Sequence, residues 1–299
     1  RCSNRKSSER GLIMWDLDFI SESDFRTHVK NTIDEYKRTL QTSVSLEQFN
    51  KNIVDPVKFA FDKAIYGLSW HDLIKKEILR QKDKTINNSI GYFHQKIFQY
   101  IHREGCTIIV PENGSSAFSD KGGQSGWDVA FENDARIFID NQTSVSRIYV
   151  EVKNKHNTMN SSASSKTFKK MQQQIVADDD CACFLVEAIA KHSQNINWVV
   201  GSANPNRRIR RVSIDEFYGI VTNDSHAFFK ICMALPKIIR DVVGTETINP
   251  YTISQDAVYN DLEQMTLNSN RDEDLRMALA MYMLGFGSYL GFNGVTQAH

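Results

Sequence analysis

The sequence predicts an α/β fold, with a mixed β-sheet core flanked by helices and with helical regions at both ends of the chain. One observation behind this prediction is a series of short apolar segments of strand length between residues 106 and 201. A second is the helical spacing of apolar residues in 166–176, which places a helix between those segments. A third is that apolar residues before 84 and after 226 recur mostly at helical spacing.

The elements before the central strands follow from local patterns. Residues 15–40 predict a helix with its N-cap at Ser23 and Asp24. Residues 45–65 predict further helix on both sides of Pro56. Residues 88–104 predict the helix that leads into the first strand, 106–110.

The elements after the central strands are predicted in the same way. Residues 161–165 predict a polar loop that ends where the 166–176 helix begins. Residues 181–190 and 197–201 predict two more strands. Residues 227–243 and 272–292 then predict the main C-terminal helices.

Four regions are predicted along the chain, and the alternative is that all of them belong to one compact domain. Residues 1–13 are interpreted as a leader, 14–84 as a helical N-terminal region, 85–225 as the α/β core and 226–299 as a helical C-terminal region. Residues 277–292 are apolar on all sides, but they fall short of the ~20 residues that a membrane span needs. We therefore expect a buried core helix there and no membrane partner.

Charge and cysteine content narrow the class of protein. The formal net charge is zero, from 36 basic and 36 acidic residues, which gives no support to nonspecific binding of nucleic acid by the chain as a whole. Local clusters of lysine and arginine leave sequence-specific binding open. The five cysteines are odd in number and lack C-x-x-C spacing, which argues against a disulfide framework or zinc site and fits a reducing cytosol.

The stretch from Gly126 to Asn157 carries the candidate chemistry. Asp128 opens one extended segment. In the next segment the apolar Ile148, Val150 and Val152 alternate with Tyr149, Glu151 and Lys153, which is the period of a strand with one buried face. Glu151 and Lys153 should therefore point the same way. A solvated strand face with alternating charges is the simpler alternative.

Two carboxylates and an amine at strand ends suit metal-dependent hydrolysis. Asp128 and Glu151 are hard oxygen ligands of the kind that Mg²⁺ prefers, since Mg²⁺ takes one or two carboxylates and keeps several waters. Lys153 is placed to orient or deprotonate a water and to neutralise charge on a phosphate. These three residues are the predicted catalytic group, with Asp128 and Glu151 as the metal ligands.

The pattern Asp128 … Glu151-Val152-Lys153 resembles the active-site motif of the PD-(D/E)xK nuclease superfamily, with Trp127 where that motif has proline. The longer strings EVKNKHNTMN and VSIDEFYGIVTND resemble a family of type II restriction endonucleases that cut GGNCC-like sites. Gly91-x-x-x-Gln95 resembles the G-x-x-x-E of the superfamily's first helix, so Gln95 is a fourth candidate catalytic residue.

The resemblance implies a Mg²⁺-dependent enzyme that hydrolyses double-stranded DNA in the bacterial cytoplasm. It also implies a cognate DNA methyltransferase as a genetic partner. A palindromic target is best met by a homodimer in which each subunit cuts one strand. Two alternatives stay open: a nuclease of the same superfamily that acts in repair or junction resolution, and an inactive DNA-binding protein of the same fold.

Two segments are predicted to contact DNA. Asn154, Lys155, His156 and Asn157 follow the catalytic strand directly, so we expect them near the scissile phosphate. Residues 207–211 hold four arginines, and guanidinium groups suit both phosphates and guanine edges. Arg208 and Arg210 alternate around Ile209 and are expected to share a strand face and to read bases. A simple exposed basic strand is the alternative.

Overall fold

The computed structural model describes residues 15–52, 54–112, 115–156, 159–250 and 256–287. The predicted leader, residues 1–13, lies outside the described residues, as do Asn157 and the end of the predicted last helix, residues 288–292.

The described residues form nine helices and six strands. The helices are α1 (Glu22–Gln41), α2 (Leu46–Lys51), α3 (Pro56–Tyr66), α4 (Trp70–Lys96), α5 (Ser161–Ala177), α6 (Ile214–Thr222), α7 (Ala227–Val243), α8 (Asp256–Met265) and α9 (Glu273–Phe286). The strands are β1 (Cys106–Ile109), β2 (Val129–Phe138), β3 (Ser144–Lys155), β4 (Cys181–Ile189), β5 (Asn195–Asn197) and β6 (Ile209–Ser213).

Chain packing separates two compact units. The first contains residues up to Thr32 and residues Ile90–Gly244, and the second contains Ile33–Ser89 and the residues from Thr245 onward. The regions proposed from sequence, 14–84, 85–225 and 226–299, follow the chain rather than this packing, and they stay a prediction.

The first unit is built on one mixed six-stranded sheet. The strand order is β1-β2-β3-β4-β6-β5. The pairs β1/β2, β2/β3 and β5/β6 are antiparallel, whereas β3/β4 and β4/β6 are parallel. Helix α5 connects β3 to β4, as parallel neighbours require a crossover. This architecture confirms the predicted α/β class, with helices flanking a mixed-sheet core.

Both faces of the sheet are covered. On one face, Phe168, Met171 and Ile175 of α5 pack with Tyr149 of β3 in a buried cluster. On the other face, the ring of Phe184 in β4 meets that of Phe217 in α6 at 6.3 Å. The expectation that β3 buries only one face was therefore wrong at its centre: strands covered by helices on both sides are apolar on both faces.

The second unit has its own apolar core. Buried residues from α2, α3, α4, α8 and α9 pack together, among them Phe49, Phe59, Ile78, Leu262 and Met281. The buried Met277, Ala280 and Met281 confirm the predicted core packing of the last helix as far as it is described. Within the described ranges, no helix combines the length and apolarity that crossing a membrane requires.

Two local predictions were wrong for identifiable reasons. Residues 161–165 begin α5 rather than forming a loop, because the Asn160 side chain accepts the Ala163 N–H and caps the helix at Ser161. The fifth strand is Asn195–Asn197, earlier than the predicted 197–201, because it pairs with β6 at Asn195↔Val212. By contrast, α7 spans the predicted residues 227–243.

Candidate active site

Asp128 lies immediately before β2 and is fixed to the neighbouring strand. Its N–H donates to the carbonyl of Val150 at 2.9 Å, and its Oδ2 accepts the Val152 N–H at 2.7 Å. Gly126, two residues earlier, has a φ of +82°, a backbone conformation that favours glycine. The bend at Gly126 thus brings the Asp128 carboxylate onto the edge of β3 beside Glu151.

Glu151 and Lys153 lie on the same face of β3. The Lys153 Nζ donates to Glu151 Oε1 at 2.7 Å. The side chains are 17% and 30% exposed, so the pair is reachable but largely desolvated. The alternation in the sequence therefore predicted their relative orientation, although the catalytic roles of the two residues stay a prediction.

Helix α4 brings Gln95 to the same place. The Gln95 Nε2 donates to Asp128 Oδ1 at 3.0 Å and more weakly to the Asp128 carbonyl at 3.4 Å. A Cβ at Gly91, one turn earlier, would lie 3.8 Å from the Cβ of Asn154, so the helix passes close to the end of β3. Gln95 therefore contacts the Asp128 carboxylate directly, and its catalytic role stays a prediction.

The two carboxylates have opposite electrostatic settings. Burial, and next the negative charge of Glu151, raise the pKa of Asp128 to about 6. Burial would also raise the pKa of Glu151, but the ammonium groups of Lys153 and Lys170 lower it below its ordinary value. Lys153 and Lys170 also act on Asp128, but they offset its burial and the charge of Glu151 only in part.

A divalent cation suits this arrangement. No group of three or more His, Cys, Asp and Glu side chains that could hold a metal occurs in the part of the chain that the structure describes. Asp128 and Glu151 offer two carboxylates, and Mg²⁺ takes one or two carboxylates and keeps several waters, so the predicted metal site stays a prediction that these side chains fit. A cation between Asp128 and Glu151 would also relieve the repulsion that raises the pKa of Asp128.

Sequence reasoning missed two residues of α5. The Lys170 Nζ donates to Glu151 Oε2 at 3.0 Å and lies 4.0 Å from the centroid of the Trp127 ring. The buried Gln174 accepts the Trp127 Nε1–H through its Oε1 at 3.1 Å. The two residues are four positions apart, so helical spacing places them on one face of α5, but nothing in the sequence showed which way that face points.

The segment after Lys153 is anchored by an ion-pair cluster. His156 Nδ1 lies 3.1 Å from Glu187 Oε2, and Arg211 Nε donates to the same oxygen at 3.0 Å. Glu187 is only 2% exposed. Burial would raise its pKa, but Arg211 and His156 lower it. His156 is therefore held against the sheet, while Lys155 beside it is exposed.

The arginine tract is arranged differently from the expectation. Sheet register aligns Glu151 with Leu185 and Leu185 with Arg211, so Arg211 lies on the face of Glu151. Arg210 aligns with Phe184 and belongs to the opposite face. The sequence argument had chosen Arg208 and Arg210 as base readers, so it did not single out Arg211.

Arg210 and Arg208 are held by protein groups. Arg210 is 5% exposed, and its guanidinium donates to Asn197 Oδ1 at 2.9 Å and to Asp140 Oδ2 at 3.1 Å. Arg208 lies just before β6 and its Nη1 donates to the Asp179 carbonyl at 2.5 Å. Base contact by this pair stays a prediction, but burial favours a structural role for Arg210.

Comparison with known proteins identifies the class. The family model described as Eco47II restriction endonuclease matches residues 17–244. The type II restriction enzyme Sau96I of Staphylococcus aureus is 28% identical over 241 residues, which cover 77% of this chain and 82% of the relative. The type II restriction enzyme Eco47II of Escherichia coli is 27% identical over 242 residues, covering 76% of this chain and 88% of the relative.

The chain, in which two carboxylates and a lysine meet at the interior strand β3 of a mixed sheet, is thus a type II restriction endonuclease, and the class predicted from the sequence is confirmed. The chain belongs to the Eco47II restriction endonuclease family. Membership makes it a site-specific endonuclease of double-stranded DNA within restriction–modification.

Proposed function

We propose that the enzyme hydrolyses DNA phosphodiester bonds with Mg²⁺ held by Asp128 and Glu151, at a GGNCC-like site. The observation that carries the metal proposal is geometric: Asp128 is hydrogen-bonded to Val150 and Val152, the two residues that flank Glu151, so the two carboxylates lie side by side. The raised pKa of Asp128, which burial and the charge of Glu151 cause together, agrees with this placement. The resemblance of residues 151–160 to enzymes that cut GGNCC-like sites supports the target.

The side chains of the site have different proposed roles. When bound, Mg²⁺ acts as a Lewis acid that lowers the pKa of a water and stabilises charge on the phosphate. Glu151 holds Lys153 at 2.7 Å, so the ammonium is positioned to orient the attacking water and to offset the developing negative charge. Gln95 and the Val152 N–H fix the two oxygens of Asp128, which keeps its carboxylate in one orientation.

DNA contact is assigned to the end of β3. The exposed Lys155 suits a backbone phosphate, and Asn154, His156 and Asn157 are its proposed neighbours in the contact. Arg208 and Arg210 were the predicted base readers. Arg211, on the face of Glu151, is better placed than Arg210 to approach the bound duplex.

A homodimer is the proposed assembly, because a target with two-fold symmetry is cut on both strands most simply by two identical subunits. We further propose that the enzyme acts in the bacterial cytoplasm and that a cognate methyltransferase protects the host DNA. Sedimentation of the full chain with and without a symmetric duplex measures the assembly, and a monomer in both conditions would contradict it.

Digestion of a mapped plasmid tests the function. With Mg²⁺ we expect discrete fragments whose sequenced ends share one GGNCC-like site, and with EDTA we expect none. Asp128→Ala and Glu151→Ala should both abolish cutting, because each removes a proposed metal ligand. Glu104→Ala, which removes an exposed acid of the same unit, is the matched control and should cut normally.

Other results of the digestion would support the alternative functions. Cuts only at junctions or damaged sites would favour a repair nuclease. Binding of DNA without any cutting would favour an inactive DNA-binding protein. Cutting at a normal rate by Asp128→Ala would show that the proposed metal site is wrong.

A further inference from the structure

Lys170 of α5 connects the catalytic strand to the segment before Asp128. Its Nζ donates to Glu151 Oε2 at 3.0 Å and also to the carbonyl of Gly126. The same ammonium lies 4.0 Å from the centroid of the Trp127 ring, a distance at which a cation is attracted to the indole face. One ammonium thus contacts a proposed metal ligand and two residues of the chain entering the site.

The same helix anchors the glycine-rich segment, residues 115–125. The buried Gln174 accepts the Gln124 N–H at 3.0 Å and donates to the Gly122 carbonyl at 3.1 Å. A Cβ at Gly122 would lie 2.3 Å from the carbonyl oxygen of Ala177, so only glycine allows this approach. The glycine-rich segment is therefore packed directly on α5, the helix that carries Lys170.

Both oxygens of Glu151 are engaged by lysines, but the two lysines differ. Lys153 is on the same strand as Glu151 and donates to its Oε1. Lys170 reaches Oε2 from another element and has a second acceptor in Gly126. A cation that binds Glu151 through Oε2 must therefore compete with Lys170.

We propose that Lys170 competes with Mg²⁺ for Glu151. Lys170 pairs with Glu151 in the metal-free enzyme and is displaced from it when the metal binds. Because Lys170 also contacts Gly126 and Trp127, its displacement links metal binding to the glycine-rich segment. This proposal rests on the metal site given under the proposed function. Lys170 is a positioning residue, and its release on metal binding changes the surroundings of the Trp127 ring.

Metal binding by the full-length protein without DNA is the first test, with Mg²⁺ and Ca²⁺ each titrated by calorimetry. Lys170→Met should bind either metal about tenfold more tightly than the wild type, because a hydrogen-bonded charge that competes for Glu151 is gone. Lys170→Arg should bind no more tightly than the wild type, because it retains the cation. A residue that only stabilised the site would give the opposite sign, with weaker binding after its removal.

The matched control is Lys169→Met, which removes the same charge from the exposed side of the same helix. Its metal affinity should stay within about twofold of the wild type, since a solvated charge is screened by salt. Equal tightening in both variants would mean that net charge, rather than the contact with Glu151, sets the affinity, and would overturn the proposal.

Tryptophan emission provides a second test that needs no change at Lys170. Saturation of the wild type with Mg²⁺ should change the emission, because the ammonium leaves the Trp127 ring. Trp127→Phe should lose that change while Trp15, Trp70 and Trp198 remain as an internal reference. A metal-dependent signal that survives in Trp127→Phe, or no signal at metal saturation of the wild type, would contradict the release of Lys170.

Glu151→Gln separates failure of this proposal from failure of the proposed function. If wild-type metal binding is unchanged in Glu151→Gln and Asp128→Asn, the metal site itself is wrong. If metal binding depends on Glu151 but Lys170→Met binds no more tightly, the site stands and the competition by Lys170 does not.

Discussion

The two ends of β3 hold charged groups in opposite ways. At its start, Arg147 donates two hydrogen bonds of 2.7 Å to the two oxygens of Asp178, and a third of 3.0 Å to Glu132. The Asp178 side chain is 1% exposed, so a buried carboxylate here has a matched cation in bidentate contact. The Tyr149 hydroxyl also donates to Asp178, at 3.1 Å.

At its end, β3 carries Glu151 next to Asp128, and the charges are not matched in this way. The two lysines pair with Glu151, whereas the pKa of Asp128 rises to about 6 because it is buried beside another carboxylate. One strand thus combines an ion pair that stabilises the fold with a carboxylate pair in which the lysines hydrogen-bond only to Glu151. Such local conflict is expected where a site is built to bind something else.

The largest expected effect is on catalysis at the unmatched end. Lys153→Met should lower the cleavage rate by about 10² to 10⁴, the contribution typical of a positioned acid–base or charge-stabilising group. DNA affinity should change little, because the fold and the other basic groups remain. Single-turnover cleavage measures the rate, and Lys166→Met on the exposed part of α5 is the control. A loss of only a few-fold would show that Lys153 is a surface charge.

The largest effect on the free energy of unfolding is expected at the start of β3, where Arg147 pairs with Asp178. Arg147→Met leaves the buried Asp178 without its bidentate partner and should lower the free energy of unfolding by about 3–5 kcal/mol. Arg136→Met removes a similar pair with Asp180, but those side chains are 50% and 32% exposed, so the loss should stay below about 1 kcal/mol. Urea denaturation compares the two variants, and equal losses would contradict the distinction.

At the end of β3, removal of the Asp128 charge should raise the free energy of unfolding. The folded pKa of Asp128 is about 6 against an ordinary 3.8, so the folded protein binds this proton more tightly than the unfolded chain does. The ionised carboxylate therefore lowers stability increasingly between pH 4 and pH 6, and fully above that window. Asp128→Asn should stabilise the metal-free protein at pH 8 by about 1–3 kcal/mol and have little effect below pH 4.

Neutralising Glu151 should change the stability in the opposite direction in the same experiment. Its folded pKa is lowered, so its ionised form contributes stability above its ordinary pKa and loses it as the pH falls. Glu151→Gln should therefore destabilise the metal-free protein at pH 8, where Asp128→Asn stabilises it. Urea denaturation in EDTA at several pH values checks both, and the same sign for both variants would refute the assigned electrostatics.

The smallest effect concerns DNA at the end of β3. Lys155→Ala should weaken binding of cognate and noncognate duplexes alike and lower the slope of log affinity against log salt by about 1, as for one lost phosphate contact. Lys191→Ala, another exposed lysine of the same unit, should leave the slope unchanged. Loss of affinity for the cognate duplex alone would instead assign Lys155 to base recognition.

The sequence by itself determined what depends on neighbouring residues. Period-2 alternation placed Glu151 and Lys153 on one face, and the helical pattern of 227–243 gave the bounds of α7. It also placed Asp128 at the start of a strand, directly before β2. These features depend on the backbone geometry of single elements, which repeats every 2 or 3.6 residues and is visible in one segment.

Only the tertiary structure decided which distant elements meet. Lys170 and Gln174 reach the site because α5 packs on the face of Glu151, and Arg211 rather than Arg210 shares that face because β6 pairs with β4 in a particular register. A shift of one residue in that pairing would exchange the two arginines between faces while leaving the local pattern of β6 unchanged. Sheet register and helix docking are set by the packing of the whole core, which no single segment of the sequence encodes.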